Sequence, residues 1–348
     1  MSTDVHNSPA VLALVMAGLV LGGCSGPETS RRDERALEAA ELRDRGKLDA
    51  AEQTYRRLLE SASSAEQRRR VRLQLARIAA DRGRPTTALD RYEAIWSADR
   101  RDALGGRAMS EAADLLARRG DADRARELRR RLVVRFPKTN WSERAAEIIA
   151  DAHREEARLD HLKRLFDRLH GDVRGEPVAD NLLFLAAEAL DETGRDGEAV
   201  DWYARLLREH PEGNMVDDAE WELANIYLDH RRWRLARTLL RRVADRVYVS
   251  RFIGSYNSPW AADARFALGW IHLVHLDDYR RARRHFRTYV RKFPHTVRTD
   301  DASWHLAQTF RLQGRSRRFR RKLRSFIEDY PQSRRVDLAR ELLERSKG

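Results

Sequence analysis

The sequence predicts an all-α protein: a solenoid of about eight helical hairpins, capped by a C-terminal helix. Three observations lead to this fold class. Small residues recur every 37 positions over most of the chain, apolar residues follow helical periodicity, and glycine or proline separates the segments. Strand patterning is almost absent, and only VYVSRF (247–252) forms a short candidate.

Two columns of small residues define the repeat. The first column consists of Ala39, Ala76, Ala113, Ala150, Ala187, Ala224, Gly269 and Ala307. The second column follows about twelve residues later, at Ala51, Ala88, Ala125, Leu162, Ala199, Ala236, Ala282 and Phe319. Because small side chains let two helices approach closely, each pair of columns predicts one hairpin.

A third column holds large residues that would fill the space between neighbouring hairpins. It contains Tyr55, Tyr92, Phe166, Tyr203, Leu240, Phe286 and Leu323, with Arg129 as the exception. Glycines in turn-like segments such as RGK, RGR and RGD separate the two helices of several hairpins. The second helix ends before Pro137, Pro211, Pro294 and Pro331, since proline cannot continue a helix.

This order of residue types (small, small, large, then proline) resembles the tetratricopeptide repeat over residues 34–331. The resemblance implies a right-handed solenoid that binds partners on a concave surface lined by the first helix of each hairpin, and it leaves 332–348 as a capping helix. The repeat texture is also loosely similar to the tetratricopeptide lipoprotein of the β-barrel assembly machinery and to the Tol–Pal-associated tetratricopeptide protein. An α-solenoid of another, longer-period kind is the structural alternative.

The first 23 residues contain an uncharged apolar run that ends just before Cys24, the only cysteine of the chain. This run is too short to span a bilayer but has the length of a signal-peptide apolar region. The segment Leu21-Gly22-Gly23-Cys24 resembles the lipobox of bacterial lipoproteins, which implies cleavage before Cys24 and its lipidation. We expect a signal peptide at 1–23, a lipidated tether at 24–33 and attachment to the periplasmic face of a Gram-negative outer membrane. The alternative is an ordinary N-terminal helix with a chance cysteine.

The resemblance places groove residues directly after each first-column residue and four positions later. These are Arg77, Asp81, Asp114, Arg118, Asp151, Glu155, Glu188, Glu192, Asn225 and Asp229. A column three residues before the first becomes aromatic in the later repeats. The predicted partner-binding groove consists of Phe184, Glu188, Glu192, Trp221, Asp229, Phe266 and Trp304. Two alternatives stay open: the acids pair with arginines three or four residues away, or the aromatic side chains pack between hairpins.

The period breaks once, because Ala236 and Ala282 are 46 residues apart. The sequence places the nine extra residues around DRVYVSRFIGSYNSPW (245–260). Since loops on rigid scaffolds often carry function, this inserted loop predicts further contacts to a partner. Its candidate contact residues are Tyr248, Phe252, Tyr256 and Trp260. The alternative is an extended helix that packs onto its own hairpin.

No spacing typical of an enzyme is present, and we expect no catalytic residues, metal or cofactor. His153 and His161 flank two glutamates, and His272 and His275 precede two aspartates, but neither group follows a metal-binding motif. The net charge of +13 comes mainly from arginine, which supplies 62 of the 68 basic residues. These arginines either cover solvated helix faces or form a basic convex face for anionic lipid or peptidoglycan. A periplasmic protein meets little nucleic acid, so we expect none as a partner.

Together these patterns predict a membrane-anchored periplasmic scaffold. We expect it to bind envelope proteins or peptides through its groove, in envelope assembly or in cell-wall and division processes. Three alternative functions remain: binding of peptidoglycan or anionic lipid through the basic face, a role as an accessory lipoprotein of β-barrel assembly, and muropeptide binding by an inactive relative of solenoid-bearing cell-wall enzymes.

Overall fold

The computed structural model describes residues 27–97, 100–250 and 254–345, which form seventeen α-helices, one π-helix and two β-strands. The chain divides into two compact units, Met1–Leu185 and Ala186–Gly348. The predicted signal peptide and Cys24 lie outside the described residues. Over the described ranges, no helix combines the length and apolar character needed to cross a bilayer.

The first unit consists of four consecutive hairpins and the start of a fifth. Its helices are α1 Pro27–Asp44, α2 Leu48–Glu60, α3 Ala65–Asp81, α4 Pro85–Trp96, α5 Ala103–Arg118, α6 Ala122–Arg135, α7 Asn140–Glu155, α8 Leu159–Asp172 and the first part of α9 Val178–Asp191. Helix α1 begins inside the segment predicted as a tether. Proline fits this first turn because the N–H that it lacks would have no partner within the helix.

The second unit completes the fifth hairpin and adds three more. Its elements are the end of α9, α10 Asp196–Glu209, α11 Val216–Asp229, α12 Trp233–Asp245, β1 Val247–Ser250, β2 Gly254–Asn257, α13 Ala261–Trp270, the π-helix Ile271–His275, α14 Tyr279–Lys292, α15 Thr299–Arg311, α16 Ser316–Asp329 and α17 Val336–Arg345. Val336 and Ala339 of α17 join Trp304 and Phe326 of the last hairpin in one apolar core.

The observed hairpins confirm the predicted fold class. In each hairpin the first helix carries the first-column residue and the second helix carries the second-column residue, and every member of both columns is buried. The large residues of the third column are buried as well, with Arg129 half-buried. The three columns therefore form the interior of each stack.

Gly269 shows why the first column is restricted to small residues. A Cβ atom added to Gly269 of α13 would lie 2.7 Å from Cε1 of Phe286, which belongs to α14. Carbon atoms at optimal contact are separated by about 3.5 to 4.0 Å. The two helices of this hairpin thus pack more closely than any residue with a side chain would allow.

The turn within each hairpin contains one residue with left-handed backbone. Glycine occupies this position in five turns, with φ between 67° and 82° at Gly46, Gly83, Gly120, Gly194 and Gly314. Ala157, Arg231 and Asp277 take the equivalent place in the remaining turns, with φ of 54°, 54° and 49°. In most of these turns the next N–H donates to a carbonyl five residues back, as from Lys47 to Leu42 at 2.8 Å. This bond is the one that ends helices in the Schellman motif.

The nine residues that interrupt the period occupy two places rather than one. The first column steps by 45 from Ala224 to Gly269, so eight extra residues precede α13, in the region that holds β1 and β2. The ninth lies between Gly269 and Ala282, where the π-helix Ile271–His275 follows α13. A π-helical turn accommodates a residue inserted into an α-helix. The prediction that all nine lie in 245–260 was therefore wrong by one residue.

Candidate partner-binding groove

In the first unit, ion pairs between helices occupy several positions of the predicted groove columns. Arg77 pairs with Glu111, Asp81 with Arg43, and Asp114 with Arg129. Each of these pairs joins two different helices, so the stack itself neutralises the charges. Asp151, by contrast, pairs with Arg154 three residues later, as the alternative interpretation expects.

The groove residues predicted on α9 differ in exposure. Phe184 and Glu188 are half-buried within the helix, whereas Glu192 directly follows its last residue and is exposed. Phe184 belongs to the first unit, and the two glutamates belong to the second.

In the second unit, polar and acidic residues form a continuous line along α11. Asp218, Glu222, Asn225 and Asp229 follow one another at intervals of four, three and four residues, which places them on one face of the helix. Asp229 is exposed, and it forms no ion pair with any residue that the structure describes. We call these four residues the acidic stripe.

Carboxylates at the end of α9 lie close to this stripe. Burial raises the pKa of Asp191, and the charges of Asp196, Asp229 and Glu192 raise it further. The pKa of Glu222 is likewise raised by burial and, to a smaller extent, by the charge of Asp191. A hydrogen bond of 3.3 Å from Asn225 Nδ2 partly offsets this effect at Glu222. The acids of α9 and α11 thus repel one another, which favours a cationic partner.

Exposed apolar residues occupy three of the four corresponding positions of the next two hairpins, and the fourth is the half-buried Gln308. The residue after Gly269 is Trp270 and the one four later is Val274; they are 40% and 45% exposed. In the last hairpin the second of these positions is Leu312, which is 52% exposed. Trp270 also contacts the ring of His305 on α15 edge to face, with ring centroids 5.0 Å apart. We call Trp270, Val274 and Leu312 the apolar continuation of the stripe.

The sequence interpretation missed the apolar continuation, although its own column rule leads to it. The predicted groove positions of these two columns end at Asn225 and Asp229. One further step of 45 residues from Asn225 gives Trp270, and the same step from Asp229 gives Val274, which lies in the π-helix that adds one residue to this hairpin. The interpretation also missed Asp191 and Glu222, because their importance depends on the approach of two helices and not on spacing along one.

One predicted groove residue and one predicted loop residue are in direct contact. The rings of Trp221 and Trp260 stack with centroids 5.2 Å apart and planes inclined by 4°. The Nε1–H of Trp260 also donates to Asp218 Oδ1 at 2.7 Å. The stack therefore places Trp260 beside the first residue of the acidic stripe.

The other two aromatic residues predicted in this unit make contacts between helices. Phe266 lies edge to face with Phe286 and Tyr289 of α14, at centroid distances of 5.7 and 5.8 Å. Trp304 is 7% exposed, and its ring is 5.7 Å from that of Phe326 on α16. These contacts correspond to the packing alternative for Phe266 and Trp304.

The inserted segment is a β-hairpin whose base is held against α11. Strands β1 and β2 are antiparallel, with Tyr248 opposite Tyr256 in the register; Phe252 lies outside the described residues. Two hydrogen bonds fix the base, from Ser258 Oγ to Asp217 Oδ2 at 2.6 Å and from Arg246 Nη2 to Glu220 Oε2 at 2.8 Å. Both acceptors are buried. The insertion is thus anchored beside the stripe, and it is not the extended helix of the alternative interpretation.

The histidines of 153–161 and 272–275 contact aromatic rings and the backbone. His153 is buried and stacks on His161 with centroids 5.2 Å apart, while His275 stacks on Trp233 at 3.7 Å. Across the described ranges, no group of three or more histidine, cysteine, aspartate or glutamate residues is arranged to hold a metal ion.

Comparisons with known proteins agree on the repeat. The sequence profile of the tetratricopeptide repeat matches residues 37–99, 73–140, 159–214, 222–294 and 272–334. A search of curated proteins finds no match.

Several solved structures are similar to this chain at low sequence identity. BtubC (BKLC) from P. vanneervenii is 17% identical, with a TM-score of 0.44 over 61% of this chain and 89% of its own. Pseudomonas aeruginosa pilF is 14% identical, with a TM-score of 0.31 over 78% and 95%. A tetratricopeptide repeat protein from Parabacteroides merdae ATCC 43184 is 15% identical, with a TM-score of 0.33 over 80% and 98%.

The profile matches extend over more than half of the chain, and their spacing agrees with the observed hairpins. The protein belongs to the tetratricopeptide-repeat family.

Proposed function

We propose that this protein is a binding scaffold whose second unit captures a segment of a partner protein. The observation that supports the proposal is the change of chemistry along one surface, from the acidic stripe on α11 to the apolar continuation on the next two hairpins. Exposed apolar side chains next to uncompensated charge are typical of interaction sites rather than of solvated surface. The partner segment would present lysine or arginine to the stripe and apolar or aromatic side chains to Trp270, Val274 and Leu312.

We further propose that the scaffold acts at the periplasmic face of the outer membrane, in envelope assembly or in cell-wall and division processes. The lipobox-like segment that ends at Cys24 supports this location. Metabolic labelling with a fatty-acid analogue tests it: label should enter the wild type and be lost in Cys24→Ala. Incorporation that persists in Cys24→Ala would contradict the anchor and leave the groove proposal unaffected.

Peptide binding tests the groove directly. A labelled peptide with lysine and arginine followed by leucine and tryptophan should bind the full chain, while a version with glutamate in place of the basic residues should not. Glu222→Lys and Trp270→Ala should each weaken binding roughly tenfold, which corresponds to about 1.4 kcal/mol. Fluorescence anisotropy provides the affinity, and circular dichroism verifies that each variant is folded.

Leu235→Ala is the matched control for Trp270→Ala. Leu235 is an apolar residue of α12 that is 46% exposed and lies outside the stripe and its continuation. Its replacement should leave peptide affinity unchanged. Equal binding of both peptides, or equal effects of Leu235→Ala and Trp270→Ala, would exclude the proposed groove.

A further inference from the structure

Four arginines form a straight line on the outer face of α14. Arg280, Arg284, Arg287 and Arg291 follow at intervals of four, three and four residues, and all four are exposed. Eleven residues of α-helix correspond to a length of about 16 Å. The line therefore extends over most of the helix.

The second helix of the next hairpin repeats this line 37 residues later. Arg317, Arg321 and Arg324 of α16 are the equivalents of the first three arginines, and they too are exposed. Glu328 takes the fourth position. We call the seven arginines on these two helices the arginine surface.

Within the described part of the chain, the seven arginines of this surface form no ion pairs. Helix α6 differs, because its Arg124, Arg126 and Arg129 pair with aspartates. The arginine surface thus carries positive charge that the fold does not neutralise.

Arg283, which lies beside this surface on α14, shows the same excess of positive charge. Its polar contacts are with the neutral Thr309 and Gln313, and it lies 4.2 Å from the ring centroid of Phe310. Burial lowers the pKa of Arg283. The charges of nearby arginines lower it further, namely those of Arg315, Arg287 and Arg318.

Repeated arginines on two successive helices suit an extended anionic surface better than a small ligand. The guanidinium group binds phosphate through two parallel hydrogen bonds, and basic residues are attracted to the negative potential of anionic membranes. The aromatic residues of α14 and α16 are buried or half-buried, so neither helix exposes a ring on which nucleic-acid bases could stack. The chemistry of the surface thus matches phospholipid headgroups.

We propose that the arginine surface docks this protein onto a bilayer that contains anionic phospholipid. The proposal goes beyond the groove and does not depend on it, since the two surfaces use different residues. It would also add to the predicted acyl anchor, since each basic residue near the membrane surface is attracted to anionic lipid. Membrane contact through α14 and α16 would leave the first helices of the hairpins to bind a partner.

Vesicle flotation of the full chain tests this proposal. The probes are phosphatidylcholine vesicles with and without phosphatidylglycerol as about one third of the lipid, and the readout is the ratio of the two partition coefficients. The apolar segment near the N-terminus contributes equally to both and cancels in this ratio. We expect a ratio well above one that falls with added salt. The triple variant Arg284→Gln/Arg287→Gln/Arg321→Gln should lower it at least tenfold.

The control is Arg57→Gln/Arg72→Gln/Arg144→Gln, which removes three exposed arginines of the first unit and changes the net charge equally. It should retain the ratio of the wild type. A wild-type ratio near one, or equal losses in both triple variants, would overturn the proposal. Binding to insoluble peptidoglycan and to polyglutamate is measured in parallel. The proposal would also be overturned if the first triple variant lost binding to one of these polymers but kept its vesicle ratio. Thermal unfolding verifies the fold of each variant. The salt dependence of the wild-type vesicle ratio tests the proposal even if a variant fails to fold.

Discussion

Ala157, Arg231 and Asp277 adopt left-handed backbone conformations in turns where the other hairpins have glycine. The conformation costs a residue with a side chain roughly 1 to 2 kcal/mol, because its Cβ approaches the following carbonyl oxygen. Each turn nevertheless keeps this geometry, since the two buried columns on either side fix the path of the chain. Packing thus determines where each first helix ends, and glycine only lowers the free-energy cost of the left-handed residue.

Replacement of Ala157 by glycine should stabilise the protein. The exposed Ala157 has φ of 54°, and glycine removes the strain at a smaller cost in chain entropy, for a net gain of about 0.5 to 1 kcal/mol. Urea unfolding followed by circular dichroism measures the change. Ala152→Gly, inside α7, is the control and should destabilise by a similar amount. A lower unfolding midpoint for Ala157→Gly would contradict the explanation.

At the scale of elements, the contact between α13 and α14 depends on the absence of a side chain at Gly269. Gly269→Ala should destabilise the protein by about 1 to 3 kcal/mol, because the new methyl group would overlap the ring of Phe286. Gly197→Ala in α10 is the matched control, since a Cβ there meets nothing within 4 Å. It should be neutral or stabilising by up to about 1 kcal/mol.

Thermal unfolding of the two glycine variants, of Phe286→Leu and of Gly269→Ala/Phe286→Leu measures this contact. The smaller leucine should restore part of the stability that Gly269→Ala removes. If the double variant loses as much stability as the two single variants together, the methyl group and the ring do not interact. The close approach then does not limit this position.

The hairpins could be predicted well because the spacing of their small residues follows from where two helix backbones touch. A small residue such as Ala224 and its counterpart Ala236 must recur wherever two helices touch, so the period could be counted without coordinates. The form of the insertion was harder to predict. Neither its pairing as two strands nor the fixing of Trp260 on Trp221 follows from the composition of 245–260. The π-helix was detectable, since the columns are thirteen residues apart in that hairpin and twelve in the others.

On the scale of the molecule, the predicted groove positions differ in how their charges are compensated. In the first unit, residues such as Arg77 and Glu111 neutralise each other between helices. In the second unit, Asp191 and Glu222 share a region in which no described cation lies close enough to lower their pKa values. The sequence could not predict this difference, because it depends on which side chains of separate helices meet.

Asp191→Asn should therefore raise the stability of the protein at neutral pH. The pKa of Asp191 is raised in the folded state, so the wild type loses stability as the pH rises above the unfolded value of about 4, and the amide avoids this loss. The gain should stay below about 1 kcal/mol, since solvent screens a half-buried group, and it should disappear below about pH 3. Unfolding midpoints across this pH range test it. Asp201→Asn, at an exposed position of α10, should show no gain, and equal gains for both would refute local repulsion as the cause.

The left-handed turn positions from Gly46 to Arg231 follow one another at a constant interval of 37 residues. A segment cut at two such turns, for example 84–120, begins and ends at structurally equivalent points. In repeat proteins each unit contacts mainly its immediate neighbours. A gene could thus be lengthened or shortened by whole modules of this size without new interfaces having to evolve, which offers a simple route by which such a protein acquires its number of hairpins.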